Sequence, residues 1–212
     1  MRVVVTRPAA QAQPLLDELR AAGFDPMACP LIEIEPIDDG PIDAGGYDWV
    51  VVTSANGAEQ LVSRHVGALP QVAAIGPQTA GVLAAHGIPV AFVPSEATQD
   101  TLVAEFPRPS GKVLFVGAEE ARGLIVSELH ADFRPVYRTR RLRPARPPDG
   151  DLVLLASPSA AAAFAELLVD LPVISIGPQT TAAAEAHGLR VLAQARTADV
   201  PGLVAAVRDV AG

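Results

Sequence analysis

One pentapeptide occurs twice in this chain: Ile75-Gly76-Pro77-Gln78-Thr79 returns as Ile176-Gly177-Pro178-Gln179-Thr180, and Ala85-His86-Gly87 returns as Ala186-His187-Gly188. Both pairs are 101 residues apart. One offset holding across an apolar run, a Gly-Pro turn, a helical pattern and a helix stop marks two copies of a structural unit. The 212 residues therefore divide into two homologous halves of about 100 each, near the small end of the domain range. Each copy reads as a buried strand, a turn, and a helix whose first turn offers backbone N–H groups to an anion. Two such ends suggest one large anionic ligand held by two lobes.

The order of the halves is permuted. Residues 48–95 match 151–196, while Lys112–Tyr137 resembles Arg2–Ala28, with Ala22-Gly23-Phe24-Asp25-Pro26 set against Ala131-Asp132-Phe133-Arg134-Pro135. The expected arrangement is a discontinuous lobe of residues 1–31 plus 143–212 and an inserted lobe of residues 38–136. Crossover strands at 32–37 and 137–142 would pair antiparallel with Glu facing Arg, as a hinge that opens and closes over a ligand. Short apolar runs at Val3–Thr6, Trp49–Thr53, Val72–Ile75, Val90–Val93, Val113–Val116, Leu152–Leu155, Val173–Ile176 and Arg190–Ala193 alternate with helical patterns. That alternation predicts an α/β fold with parallel sheets.

Half of the residues are hydrophobic and mean hydropathy is +0.29, yet no apolar run approaches the ~20 residues of a bilayer span. Leu152–Val169 comes closest, but Ser157, Pro158, Ser159 and Glu166 interrupt it; a strand followed by an Ala-rich helix is expected. The N-terminus enters a strand at once, without a signal segment, which predicts a cytoplasmic protein. Cys29 is the sole cysteine, so no intramolecular disulfide forms, and no Cys or His cluster has metal-ligand spacing. No metal is expected. The net charge of −8 and the pI near 4.9 argue against a nucleic-acid or anionic-membrane partner. Arg138, Arg140, Arg141, Arg143 and Arg146 run against that balance, either as a solvated face or as an electrostatic funnel for a polyanion.

Ligands of parallel sheets bind at the carboxyl ends of the strands. The loops there are Thr6-Arg7-Pro8, Thr53-Ser54-Ala55-Asn56-Gly57, Gly76-Pro77-Gln78-Thr79, Gly117-Ala118-Glu119, Ser157-Pro158-Ser159 and Gly177-Pro178-Gln179-Thr180. Nearly all are small and hydroxylated. Any single Ser, Thr or Asn at a helix start is more often a cap than a ligand contact, but six such loops together favour binding. Candidate binding residues are Arg7, Ser54, Asn56, Gly76, Thr79, Ser157, Ser159, Gly177, Thr180 and Thr181. His86 and His187 precede a glycine that should end a helix, where a histidine offsets the helix dipole. Nucleophile elbows, phosphate loops and dinucleotide turns are absent. Tyr137 is one of two tyrosines and stands at the proposed crossover, where its phenol could donate a proton or hydrogen bond.

With Val5-Thr6-Arg7-Pro8, Tyr47-Asp48, Val52-Thr53-Ser54-Ala55-Asn56, the two Ile-Gly-Pro-Gln-Thr turns, Val136-Tyr137-Arg138-Thr139 and Ser157-Pro158-Ser159-Ala160 in this order, the chain resembles the uroporphyrinogen-III synthases over nearly its whole length. The resemblance implies two flavodoxin-like lobes joined by a two-stranded ladder, no cofactor, and a linear tetrapyrrole polycarboxylate as substrate. It implies ring closure of hydroxymethylbilane through a spiro intermediate with inversion of the terminal ring and loss of water. By motif, Tyr137 matches the tyrosine proposed to help the hydroxyl leave, Thr79 and Thr180 match turn threonines, and Ser54 and Ser157 match cleft serines. It also leaves room for transient contact with the upstream deaminase, and a monomer is the default. Gly117 departs from the pattern, which leads one to expect a basic residue at that strand end. Two rivals share the fold: a two-lobed small-anion-binding protein, against which the missing signal segment counts, and a catalytically degenerate tetrapyrrole sensor.

Overall fold

The computed structural model describes residues 1–121 and 123–212. In chain order its elements are β1 (Arg2–Val5), α1 (Ala9–Ala21), β2 (Asp25–Ala28), β3 (Ile32–Pro36), β4 (Ile42–Asp43), β5 (Trp49–Val52), α2 (Ala55–Arg64), β6 (His65–Val66), β7 (Gln71–Ala74), α3 (Pro77–Ala85), α4 (Gln99–Glu105), β8 (Val113–Ala118), α5 (Leu124–Leu129), β9 (Asp132–Arg141), β10 (Leu152–Leu155), α6 (Pro158–Ala165), β11 (Val173–Ser175), α7 (Pro178–Ala186), β12 (Val191–Gln194) and α8 (Val200–Ala211). Two compact units result, Met1–Glu33 with Thr139–Gly212, and Ile34–Arg138.

In the discontinuous unit five parallel strands stand in the order β2-β1-β10-β11-β12. Numbered within the unit this is 2-1-3-4-5, the order of flavodoxin-like sheets. In the inserted unit β9, β8, β5 and β7 are neighbours in that order, all parallel, with β3 outside β9. The permuted repeat makes the two orders one, because β9, β8, β5 and β7 are the counterparts of β2, β1, β10 and β11. A two-residue parallel pair, β4 with β6, is an addition of the inserted unit.

Both sheets are covered on both faces, which is why their strands are almost uninterrupted in apolar residues. Val3 and Val5 pack with Leu15 and Leu19 of α1 and Leu203 and Val207 of α8. Val4 between them packs on the other side with Phe164 of α6 and Ala184 of α7, as the two-residue period of a strand requires. In the inserted unit Val50 and Val52 join Leu61 of α2 and Leu83 of α3, whereas Trp49 and Val51 join Leu102 of α4 and Ile125 and Leu129 of α5.

Three details differ from the sequence expectations. The run Val90–Val93 makes only one bridge, Phe92 to Ala73, where its counterpart forms the full strand β12. Pro89 and Pro94 flank this run and cannot donate to a ladder; no proline interrupts β12. The strand expected at 137–142 is the second half of a ten-residue strand that already lies beside β8 from Asp132. Finally, the match of Pro26 to Pro135 is out of register. Pro26 pairs with Val3, but Pro135 pairs with Gly117, whose counterpart is Arg7, four residues further on. The preceding helices explain the slip, since α1 has 13 residues and α5 only six.

β3 runs antiparallel to β9, as two backbone hydrogen bonds show: Ile37 N–H donates to the Val136 carbonyl and Leu142 N–H to the Leu31 carbonyl. Glu35 faces Arg138 at 3.1 Å and Glu33 faces Arg140. Arg141 pairs with Glu166. Three of the five clustered arginines are thus neutralised by partners, which corrects the funnel expectation for them; such exposed pairs contribute about 0.2–1 kcal/mol each. Among the described residues no helix is long and apolar enough to cross a membrane.

Candidate active site

In the inserted unit the chain leaves β5 at Ser54, whose extended backbone makes it the N-cap of α2. Its hydroxyl accepts the Gly57 N–H at 3.0 Å, satisfying one of the donors a helix start leaves open. The same oxygen lies 2.9 Å from the Tyr137 hydroxyl, and the Asn56 side chain also hydrogen-bonds that phenol. Tyr137 is only 6% exposed, its ring packed in the cluster of Val52, Leu61 and Val116. Burial pushes the phenol pKa above the ordinary tyrosine value and the charge of Glu120 adds to this, while the bonds to Ser54 and Asn56 pull the other way. The group is therefore a neutral phenol at physiological pH, able to donate its proton.

A β-bulge aims this side chain. Along β8 and β9, Val116 pairs with Arg134 and Gly117 with Pro135, but Ala118 pairs with Tyr137, leaving Val136 as the extra residue. Consecutive strand residues normally face opposite sides, yet Val136 and Tyr137 both pack on the α2 and α3 side. Without the bulge Tyr137 would point to the α4 and α5 side with Phe133.

β7 is the neighbour of β5, and at its end Gly76 is the N-cap of α3 with Pro77 at the first helical position. Thr79, 4% exposed, sits in the first turn, ahead of the first intrahelical bond from Ala80 N–H to the Gly76 carbonyl. The discontinuous unit repeats this with Gly177, Pro178 and Thr180, which is 3% exposed. The glycines differ in their surroundings. A Cβ on Gly76 would lie 2.8 Å from the Ala97 Cβ, whereas one on Gly177 would have 3.9 Å to Ala198.

At the end of β10, Ser157 caps α6 by accepting the Ala160 N–H at 3.1 Å, and Ser159 is half-buried in the helix's first turn. Buried Thr6 donates to the Leu154 carbonyl at 2.7 Å, fixing the end of β1 where half-buried Arg7 follows. Thr181 is held internally: its hydroxyl donates to Gln194 Oε1 at 2.7 Å and lies 2.6 Å from Ser175 Oγ. The expected residues thus form one set per unit, Ser54, Asn56, Gly76, Thr79 and Tyr137 in one and Arg7, Ser157, Ser159, Gly177 and Thr180 in the other. Direct side-chain contact joins Tyr137 with Ser54 and Asn56. The histidines before the helix-ending glycines cap helices, with His86 Nδ1 2.9 Å from the Val82 carbonyl and Gly87 and Gly188 at φ +74° and +72°. Sequence reasoning missed Glu120, the bulge, and Arg64 with Asp38 beside it; no motif marks any of them.

Residues 13–205 match the family described as uroporphyrinogen-III synthase HemD. The uroporphyrinogen-III synthase of Synechococcus elongatus is 26% identical, covering 98% of this chain and 94% of its own. That of Chlorobaculum parvum is 27% identical over 89% and 90%. Among solved structures, a uroporphyrinogen III synthase mutant from Thermus thermophilus shares the fold with a TM-score of 0.69 at 14% identity, covering 100% of this chain and 98% of its own. The Helicobacter pylori synthetase does so at 0.67 and 18%, covering 99% and 100%. The chain belongs to the uroporphyrinogen-III synthase family.

Proposed function

We propose that the chain converts hydroxymethylbilane to uroporphyrinogen III, with Tyr137 as the proton donor. The carrying observation is a buried neutral phenol held by Ser54 and Asn56 at the carboxyl end of its sheet. The hydroxymethyl C–O bond must break, and a proton delivered to the departing oxygen releases it as water instead of hydroxide. The electrophilic carbon left behind is attacked within the same molecule, so the outcome depends on how the flexible substrate is held. Helix starts at Gly76 and Gly177 supply N–H groups suited to the substrate's carboxylates, with Thr79 and Thr180 in their first turns, Ser159 in the first turn of α6, and Arg7 as a cation. The hydroxyl of Thr181 fixes the adjoining strand ends through Ser175 and Gln194. A cytoplasmic setting and transient contact with the upstream deaminase accord with this role.

The test generates hydroxymethylbilane in situ with the deaminase, adds the protein, oxidises the products and separates type I from type III uroporphyrin. Dominance of type III is expected. Type I alone, the product of unassisted closure, would leave the fold and remove the activity.

A further inference from the structure

We infer that Arg64 and Asp38 form a clamp on the β9 bulge that positions the Tyr137 side chain; the inference rests on the reading of Tyr137 given above. Arg64 is the last residue of α2, and its side chain is only 9% exposed. Its Nη2 meets Asp38 Oδ1 at 2.6 Å, and Nε and Nη2 donate to the Gly40 carbonyl at 2.9 and 2.7 Å. These bonds fix the segment after β3, whose Ile37 N–H donates to the carbonyl of the bulged residue, Val136, at 3.2 Å. Arg64 Nη1 also approaches that carbonyl, at 3.5 Å. On the other side of the bulge, Arg134 Nη2 reaches the same Asp38 oxygen at 3.0 Å.

A single carboxylate oxygen thus ties the end of α2 to β9 two residues before the bulge, and the bulge carbonyl is held from the same loop. The two ends of α2 serve one side chain: Ser54 at the start holds the phenol, and Arg64 at the end holds the backbone that aims it. An extra strand residue is otherwise free to slip, and a slip of one position sends Tyr137 to the opposite face of the sheet. The planar guanidinium is needed because four acceptors, Asp38 Oδ1, the Gly40 and Val136 carbonyls and Gln60 Oε1, are bonded at once, which a lysine ammonium on the same stem cannot reproduce.

Arg64 acts through Tyr137 and is a positioning residue, so the test reads the ring as well as the rate. The full-length protein, carrying tyrosine labelled with ¹³C at Cζ, has two such signals, from Tyr47 and Tyr137. In R64K the Tyr137 signal is expected to shift and its ionisation midpoint to fall toward the ordinary tyrosine value, with Tyr47 unchanged. Turnover should drop by about tenfold to a hundredfold with KM within about twofold, as for a displaced catalytic group. D38N, which opens the clamp from the loop side, should give the same signature and decides the matter if R64K does not fold. An unmoved Tyr137 signal and midpoint in the folded variants would overturn the clamp whatever the rate does. A moved signal at an unchanged rate would uphold the clamp and remove Tyr137 from the chemistry; Y137F at the wild-type rate would confirm only that removal.

Discussion

Alanine at the two repeat-related N-caps, Gly76 and Gly177, should have unequal effects on stability. Both backbones are extended, at φ −174° and 177°, so alanine fits either without strain. Each replacement also removes freedom from the unfolded chain, a gain of about 0.4–1 kcal/mol common to both. The difference lies in the neighbour. The new Cβ at position 76 would sit 2.8 Å from the Ala97 Cβ, inside the 3.0 Å that real Cβ atoms respect, and Ala97 has no rotamer with which to yield. Backbone must move, at the cost of overpacking, about 1–3 kcal/mol. At position 177 the 3.9 Å to Ala198 is ordinary contact. Because the entropic gain cancels between them, G76A should be less stable than G177A by about 1–3 kcal/mol, equivalent to roughly 4–24 °C in a unit of about 100 residues. Urea unfolding of the substrate-free proteins, with midpoints compared at unchanged m, measures this. Equal midpoints would refute the packing account of Gly76.

Four further outcomes are expected. Y137F should lower kcat by about 10²-fold with the urea midpoint retained, the low end of what a general acid supplies; unchanged kinetics would exclude the phenol from proton transfer. S54A and S157A should each lose about 1 kcal/mol of helix capping, but S54A, which also removes one of the phenol's two partners, should lose more turnover than S157A. On the proposed role the protonated phenol is the active form, and its pKa is raised, so the alkaline fall of kcat should begin above the ordinary tyrosine value near 10 in the wild type and be absent from Y137F. Hydrogen bonding from Gly40, then the charges of Arg134 and Arg64, hold the Asp38 carboxyl below its ordinary range. Its stabilising effect is present above the unfolded-state value and lost as pH falls through the lower folded one, so acid should open the clamp and D38N should flatten that part of a stability profile.

The alternation of apolar runs and helical patterns made the α/β class legible, because strands covered on both faces must be apolar throughout. The repeat offset made the inserted topology legible, because Gly-Pro turns admit few substitutions. What stayed hidden was set by residues whose local pattern says something else. Val90-Ala91-Phe92-Val93 is as good a strand by composition as Val191–Gln194, and only flanking prolines demote it. Asp25-Pro26-Met27-Ala28 is a poor strand by composition, yet it pairs fully with β1. Tyr137 could be singled out as rare, but its direction could not: strict alternation from Phe133 puts it on the α4 and α5 side, and the bulge that reverses this is contacted by Arg64 and Ile37, far away in the chain. The arginine run was legible as charge but not as paired charge, since its acidic partners lie across the ladder.

The duplication has not produced two equal sites. Both units end their second pair of strands in Ser at an N-cap and in Gly-Pro-Gln-Thr, so both retain a helix start suited to a carboxylate. The inserted unit bends β9 by one residue, whereas the register shift of the discontinuous unit lies between β11 and β12, and among the described residues only the inserted unit has its N-cap serine holding a buried phenol. In the discontinuous unit β2 pairs with β1 in unbroken register through Ala28, and Ser157 has Ala160 N–H as its bonded partner among the described residues. A substrate with many carboxylates and one reacting carbon needs several anion-binding helix starts but only one proton donor. On the proposed reading, repetition of the sheet provides the first, and the Val136 bulge, which turns Tyr137 toward Ser54, provides the second.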